Sequence, residues 1–413
     1  DSRSRKSKFT CMIKNVYILL ALGIIFILSA CGGSEDEPPT PSPIPANRTV
    51  LVYMVADNTL HSFASVDVEE MMIGMKDVDI SSCNLCLYVD DKSSSPVLYH
   101  FTKNGKGEVV KDIIATYEEQ VSTDVAVMSE VVNHVFTSYP AESYGLVYWS
   151  HGEGWIPYPV TSTRWVGQDT GDGDKRMNIS ALASVLDEIP HLDFLLFDAC
   201  FMQSVEVAYE LRSYTDYFLA SPTEIPAPGA PYDKLVPAMF YADGFAQAIG
   251  EAYISTYADN YNESLVIGSR NPWKAGNVWV AGASISVIKS SELEHLSSVT
   301  KQSLPNEVID NVGLRNKIFS YDKRSNPMYY DLVGMMRHLV NDDVVFDTWK
   351  SAYDAAIVYW NTTKTNFSDQ GGVFLMDDTY GVSQFIPGVN LSTDKAYRST
   401  EWYTSAGFAA LGW

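Results

Sequence analysis

The feature that most constrains this chain is an alternation of short apolar runs of strand length with segments of helical period. "TVLVYMV" at 49–55 precedes "DNTLHSFASVDVEEMMIGM", with Asp57 or Asn58 placed near a helix start. Residues 85–89, 145–149 and 194–197 and the run "DYFLAS" repeat the strand pattern, while "STDVAVMSEVVNHVFTSYP", "NISALASVLDEI" and "SVEVAYELRSY" supply helices between them. Strands joined through helices of this length pair in parallel, and a sheet covered by helices on both faces needs strands with no polar side. The expected class is therefore α/β. A chain of 413 residues with 46% hydrophobic and 12% aromatic content has enough apolar surface to build it. In such sheets ligands collect beyond the carboxyl ends of the strands, which is where chemistry is to be sought.

Beyond residue 265 the alternation loosens. "WVAGASISVI" and "GGVFLMDD" read as strands, "DLVGMMRHLV" and "VFDTWKSAYDAAIVYWNTT" as helices. Residues 266–413 are thus either further layers on the same sheet or a subdomain.

The N-terminal segment does not belong to the fold. Arg3, Arg5, Lys6, Lys8 and Lys14 precede an apolar stretch at 16–27, followed by Leu28-Ser29-Ala30-Cys31. A charged region, an apolar region too short for a membrane span and a small-residue cleavage site make a secretory signal over 1–30, and Met12 would serve as its start. The Leu-Ser-Ala-Cys run resembles the lipobox of bacterial lipoproteins, which implies acylation of Cys31 and a lipid anchor in the outer membrane of the cell envelope. Residues 31–47, rich in Gly, Ser, Pro and acid, form a tether that cannot bury a core. Within it, Ser34-Glu35-Asp36-Glu37 resembles the acidic signal that carries some lipoproteins to the cell surface.

The formal charge of the whole chain is −22; residues 1–30 carry five basic residues and one acidic, and removing that +4 leaves about −26. So acidic a surface excludes nucleic acid as a partner. Of the five cysteines, only Cys83, Cys86 and Cys200 fall in the expected folded part. Cys83 and Cys86 lead into a strand and have no second Cys pair or His cluster to complete a metal site, so they read as core thiols or an incidental disulfide.

Cys200 is different. "FLLFDAC" places it just past one core strand, at an expected helix start, and "YGLVYWSHGEGW" places His151 and Gly152 just past another. If those strands are parallel neighbours, a thiol and an imidazole share one crevice. A thiolate is the nucleophile of acyl transfer, a nearby imidazolium or helix N-terminus depresses its pKa, and imidazole passes the proton on to the leaving amine. The N–H groups of Gly152 and Cys200 would form the oxyanion hole.

His-Gly after one strand and Asp-Ala-Cys after the next resembles the clostripain family of cysteine peptidases. "VLVYMVADNTL", "YPAESYGLVYWSHGEGW", "LLFDACFMQSVEVAYELRSYTDYFLASPTEIPAPGAPYD" and, more loosely, "GASISVIKSSELEHL" follow the family's order, with strong motifs from about residue 48 to 233. His before Cys separates it from papain-like enzymes. The resemblance implies a caspase-like three-layer α/β/α sandwich around a mostly parallel sheet, with a peptidase core at 48–265 and a C-terminal extension. It also implies cleavage of protein or peptide substrates after Arg or Lys, with Asp198 as the acidic specificity residue; an Asp that caps the next helix is the competing role. Ser221, Thr223 and Glu224 fall on the loop that borders the family's substrate cleft. Self-cleavage in the long loop after His151 is implied, with Arg164 the best match and Lys175 and Arg176 as alternatives. Some relatives need calcium, and "DTGDGD" offers Asp169, Asp172 and Asp174, but it lacks the loop of an EF-hand and reads as an acidic solvated turn, with any calcium bound elsewhere. Two rival readings stand: a surface-anchored binding protein that keeps the fold without the activity, and a serine hydrolase using Ser150, which lacks a G-x-S-x-G elbow.

Overall fold

The structure, a computed structural model, describes residues 46–156, 165–274 and 276–413. The expected signal segment, the Cys31 lipidation site, nearly all of the tether and the Arg164 cleavage position lie outside the described residues. Among the described residues no helix is long and apolar enough to cross a membrane.

Nine strands form one sheet: β1 (Ala46–Ala56), β2 (Cys83–Asp91), β3 (Ser94–Lys103), β4 (Val109–Thr116), β5 (Ala141–Trp149), β6 (Leu192–Asp198), β7 (Thr215–Ala220), β8 (Ser284–Lys289) and β9 (Ile357–Thr362). Their spatial order is β9-β8-β7-β6-β5-β1-β2-β3-β4. From β2 through β1, β5 and β6 to β7 every pairing is parallel. The outer strands attach antiparallel, so all but β3 and β8 run the same way.

Side chains on successive strand residues point to opposite faces, and here both faces are apolar. In β1, Leu51, Tyr53 and Val55 enter one core while Val50, Val52 and Met54 enter the other; in β6, Leu195 and Phe197 oppose Phe194 and Leu196. The first core is completed by α2 (Val125–Ser138), α3 (Ile179–Leu186), α4 (Val205–Leu211), α7 (Leu293–Ser303), α8 (Leu332–Leu339) and α9 (Asp343–Ala356). The second takes α1 (His61–Gly74), α5 (Tyr232–Met239) and α6 (Phe245–Asn260). This is the expected three-layer α/β/α sandwich. Cys83 and Cys86, three apart on β2, face different cores and are free thiols.

The C-terminal region adds β8 and β9 to the same sheet. Its "GGVFLMDD" run instead pairs as Gly372–Leu375 with Thr365–Ser368 in a separate hairpin. The order also locates a crevice. The chain passes from β1 to β2 in one direction and from β5 to β6 in the other, so the connections after β1 and β5 part from each other at the carboxyl edge.

Candidate active site

β5 and β6 pair in parallel with Trp149 opposite Asp198. His151 lies two residues past the first and Cys200 two past the second, so the register delivers both to one edge, where they line a single cavity of about 590 Å³. The two strand ends are in contact: a Cβ at Gly152 would lie 2.8 Å from the Cys200 carbonyl oxygen and 3.2 Å from its nitrogen. Only a residue without a side chain fits between them. Gly152→Ala is expected to destabilise the protein by roughly 1–3 kcal/mol through forced backbone displacement, read as a lower Tm in thermal denaturation.

Cys200 does not open a helix as its sequence context suggested. α4 starts at Val205, capped by Ser204, whose hydroxyl accepts from the Val207 N–H at 3.3 Å. Cys200 stands instead in a tight turn, and the next residue, Phe201, has φ 61°, a left-handed conformation that costs a bulky side chain on the order of 1–3 kcal/mol. Surrounding contacts hold it there. The Phe201 N–H donates to the Thr223 carbonyl at 3.0 Å, and its ring stacks on Tyr329 with centroids 5.1 Å apart. With the helix terminus displaced, no helix end depresses the thiol. Burial pushes it well up, Glu224 and Glu153 push it further, and the Ile225 N–H donated to Sγ at 3.4 Å and the charge of Arg324 only partly offset this.

The imidazole is shifted the opposite way. Burial and then the charge of Arg176 hold His151 below its ordinary value, and its Nε2 shares a 2.8 Å hydrogen bond with the Thr59 hydroxyl on the turn after β1. Asn58 shapes that turn, its amide donating to the carbonyls of Val55 and Gln168, each at 2.8 Å. Arg176 lies over Trp165, 4.1 Å from its ring, and Trp165 meets the imidazole edge-on. Both shifts favour the neutral thiol and the neutral imidazole, the opposite direction to the depressed thiol expected of a cysteine at a helix start.

Asp198 lies at the cavity floor, 1% exposed. Its Oδ2 accepts from the Ala230 N–H and the Tyr232 hydroxyl, both at 3.0 Å, while Oδ1 has no donor. It caps no helix. A second carboxylate, which sequence reasoning missed, stands beside it: Asp67 of α1, also 1% exposed, accepts from the Trp149 indole at 2.7 Å and likewise keeps Oδ1 without a donor. The position a Cβ would take on Gly229 is 3.0 Å from Asp198 Oδ2 and 3.4 Å from Asp67 Oδ2, so both acids border the same point. Burial, and then repulsion from Asp198, raises Asp67 well above the ordinary carboxylate range.

Of the loop residues expected at the rim, Glu224 lines the cavity, tied by the Ser368 hydroxyl and the Asp369 N–H, each at 2.8 Å. Ser221 and Thr223 do not. Both are buried in a hydroxyl network with Ser284 and Asn366, where they brace the wall from behind. Ser150 also borders the cavity but is buried, its hydroxyl donating to the Val55 carbonyl at 2.9 Å and accepting from the Gln168 N–H at 3.1 Å, bonds that occupy it structurally and argue against it as a nucleophile. The C-terminal region supplies Arg324, whose guanidinium reaches both oxygens of Glu153 at 2.9 and 2.7 Å, and Phe367, which joins Trp273 and Trp279 in an aromatic wall.

The sequence profile of the clostripain family matches residues 52–402. Clostripain of Hathewaya histolytica is 28% identical over 217 residues, 45% of this chain, and the match spans only 41% of clostripain's own length. A secreted C11 cysteine protease of Bacteroides thetaiotaomicron, solved with an irreversible peptide inhibitor, superimposes with TM-score 0.80 at 45% identity over 88% of this chain and all of that one. An inactive zymogen C11 protease of Parabacteroides distasonis gives TM-score 0.73 at 26% identity, over 88% of this chain and 99% of that one. With its sequence matched almost from β1 to the C-terminus and its sheet superimposing on both proteases, this chain belongs to the clostripain family of cysteine peptidases.

Proposed function

We propose that this protein is a cysteine endopeptidase that cuts after arginine or lysine through Cys200 and His151. The observation that carries the reading is the β5–β6 register, which puts an imidazole and a thiol on one cavity whose floor is a buried carboxylate. As Sγ attacks the scissile carbonyl, His151 takes the thiol proton; it then gives that proton to the leaving amine as the acyl-enzyme forms, and water releases the acyl group. The Gly152 and Cys200 N–H groups face the developing oxyanion. A basic side chain would reach Asp198 and Asp67, whose Oδ1 atoms have no donor. Fluorogenic peptides differing only in the residue before the cut bond test this. Arg and Lys peptides are expected to turn over at least 100-fold faster than Asp or Leu peptides; equal rates would remove the specificity assignment, and no turnover in the mature protein would favour the binding-protein reading.

A raised thiol beside a lowered imidazole suits a resting precursor, and the similar P. distasonis protease was solved as an inactive zymogen, which supports this reading. We place the maturing cut after Arg164. Arg176 is a poor alternative because it lies in the hairpin of Val166–Asp169 with Lys175–Met177 and is paired to Asp174 at 2.5 Å, whereas a protease needs unpaired, extended chain. Intact-mass analysis of purified protein checks it: wild type is expected as two fragments ending at and beginning after Arg164, and Arg164→Ala as one chain; an uncut, fully active wild type contradicts it. The same spectrum reads acylation at Cys31, which would anchor the protein to the bacterial outer membrane with its acidic body held off the bilayer by the tether.

A further inference from the structure

The sheet order divides the surroundings of Cys200 into two sides. β5 and β1 lie on one side of β6 and carry His151 and the turn with Thr59. The hairpin of Val166–Asp169 with Lys175–Met177 joins them, the Gly167 N–H donating to the His151 carbonyl at 2.9 Å; its Asp169 is 0% exposed, correcting the expectation that "DTGDGD" is a solvated turn. β7, β8 and β9 lie on the other side. β8 is antiparallel to both neighbours, with Ser286 opposite Ala220 at the end of β7 and Ser284 opposite Thr362 at the end of β9. The chain just before β8 and just after β9 therefore emerges at the same edge as Cys200. Those two segments carry Trp273, Trp279 and Phe367.

The three rings are braced from behind. Trp273 and Trp279 lie on the paired segments Trp273–Lys274 and Val278–Trp279, closed by the Val280 N–H donating to the Pro272 carbonyl at 2.8 Å. The Trp279 indole N–H donates to the Gly282 carbonyl at 2.8 Å, and its ring meets Trp273 and Phe367 edge-on with centroids 5.1 and 5.6 Å apart. Phe367 lies in the hairpin of Thr365–Ser368 with Gly372–Leu375, which the Thr365 hydroxyl ties to the Ala281 carbonyl at 2.9 Å. Glu224 joins that hairpin to the nucleophile: it holds Ser368 and Asp369, and the next residue, Ile225, donates its N–H to Cys200 Sγ. Trp273 and Phe367 are half-buried and, with Pro272, Pro226 and Ala227, line the same cavity as Cys200. Apolar rings fixed in place with one side open to a cavity are binding area that the fold itself leaves uncovered.

The chemistry at the dyad fixes which part of a substrate meets this wall. The leaving amine takes its proton from His151, so residues after the cut bond pass the β5–β1 side. Residues before it run the other way, past Ile225 and toward the rings. An extended chain advances about 3.3 Å per residue, so a cavity of about 590 Å³ that includes Cys200 holds only the few residues nearest the cut. The rings themselves offer no charge. Both Glu224 oxygens are already occupied by the Ser368 hydroxyl and the Asp369 N–H, and Asp369 is exposed, where water screens a charge. We infer that Trp273, Trp279 and Phe367 form a second subsite that takes a large apolar side chain at the second, third or fourth residue before the cut bond. Preferred substrates then carry an aliphatic or aromatic residue shortly before the basic one. Such a subsite presupposes the peptidase reading of Cys200 and His151, yet its test separates the two.

Fluorogenic peptides with arginine before the cut bond and glycine at the three preceding positions are compared with peptides carrying Leu, Phe or Lys at one of the three. Leu or Phe at one position is expected to raise the kcat/KM of wild type at least about 10-fold over Gly, the effect of burying one such side chain. That ratio is expected to fall below about threefold in Trp273→Ala and in Phe367→Ala and to return in Trp273→Phe, with thermal denaturation confirming that each variant is folded. Ratios among residues placed after the cut bond, read on internally quenched peptides, are expected to be the same in Trp273→Ala as in wild type. Fluorescence polarisation of labelled peptides on Cys200→Ala reads the same preference without turnover. Absence of turnover for every arginyl peptide would therefore count against the peptidase reading alone, while binding still tests the subsite. Equal rates and equal binding for Gly, Leu and Phe peptides, a Lys peptide favoured over both, or a preference left intact by both alanine variants overturns the subsite. A preference altered only after the cut bond also overturns it, because the rings would then stand on the other side of the dyad.

Discussion

Cys200→Ala is expected to cleave an arginyl peptide at least about 10⁴-fold more slowly than wild type, and His151→Ala nearly as slowly. The size of the loss follows from the geometry. The thiol is pushed up and the imidazole down, which disfavours a preformed thiolate, so sulfur is expected to become nucleophilic as His151 removes its proton. Two groups that act in one event are not additive. The double variant is therefore expected to be no slower than Cys200→Ala within about threefold. Steady-state kcat/KM for the three proteins checks this. A Cys200→Ala protein as active as wild type sinks the dyad, and a double variant slower by the product of the single losses would mean that the two residues act independently.

The second large effect is at the cavity floor. Asp198→Asn is expected to lower kcat/KM for arginyl peptides by about 10²- to 10³-fold, the loss typical of removing one partner from a buried charge pair. Turnover of a leucyl peptide is expected to stay within about threefold. Asp67→Asn is expected to act in the same direction more weakly, because its carboxylate also serves the Trp149 indole.

A pH dependence accompanies this. Burial pushes Asp198 up to about 6, against the opposing pull of the Ala230 N–H and the Tyr232 hydroxyl. Its raised value means that the folded chain keeps a proton the unfolded chain has already lost. Its contribution to stability is therefore full below the ordinary carboxylate range and is lost as pH rises through about 6. Substrate binding reverses the preference, because a guanidinium needs the ionised acid. The kcat/KM of arginyl peptides is accordingly expected to climb with pH through about 6, a limb that Asp198→Asn loses. An unchanged profile in Asp198→Asn contradicts the assignment.

The parallel core and the positions of His151 and Cys200 were legible because they depend on local signals. Apolar runs without polar alternation mark strands covered on both faces, and a functional residue at the end of such a run needs no further information to be placed at the sheet edge. Departures came where a segment's state is set by distant partners. "VFDTWKSAYDAAIVYWNTT" reads as one helix, yet it ends at Ala356 and continues as β9, because Ile357, Tyr359 and Trp360 find an antiparallel partner in β8. The β3–β4 hairpin passed unnoticed in its mixed polar and apolar pattern, half exposed along the edge. In the site, Asp67 is one of three acids on α1, beside Glu69 and Glu70, and only the Trp149 indole and Gly229 place it beside Asp198. Arg324 reaches Glu153 across 171 residues of chain, and no local pattern announces that contact. Ser221 and Thr223 were placed at the rim because the resemblance assigns their whole loop to the cleft border; which of its side chains turn inward is set by Ser284 and Asn366, which lie on distant segments.

The most direct test is to trap the nucleophile. The processed protein, treated with a peptidyl acyloxymethyl ketone ending in arginine, digested and mapped by mass spectrometry, is expected to carry one adduct, on Cys200 Sγ. Cys83 and Cys86 are expected to stay unmodified within their two cores, and labelling is expected to be lost in His151→Ala and slowed in Asp198→Asn. An adduct on Cys83 or Cys86, or labelling of Cys200 that proceeds equally fast without His151, would show that sulfur and imidazole do not work together at this edge of the sheet.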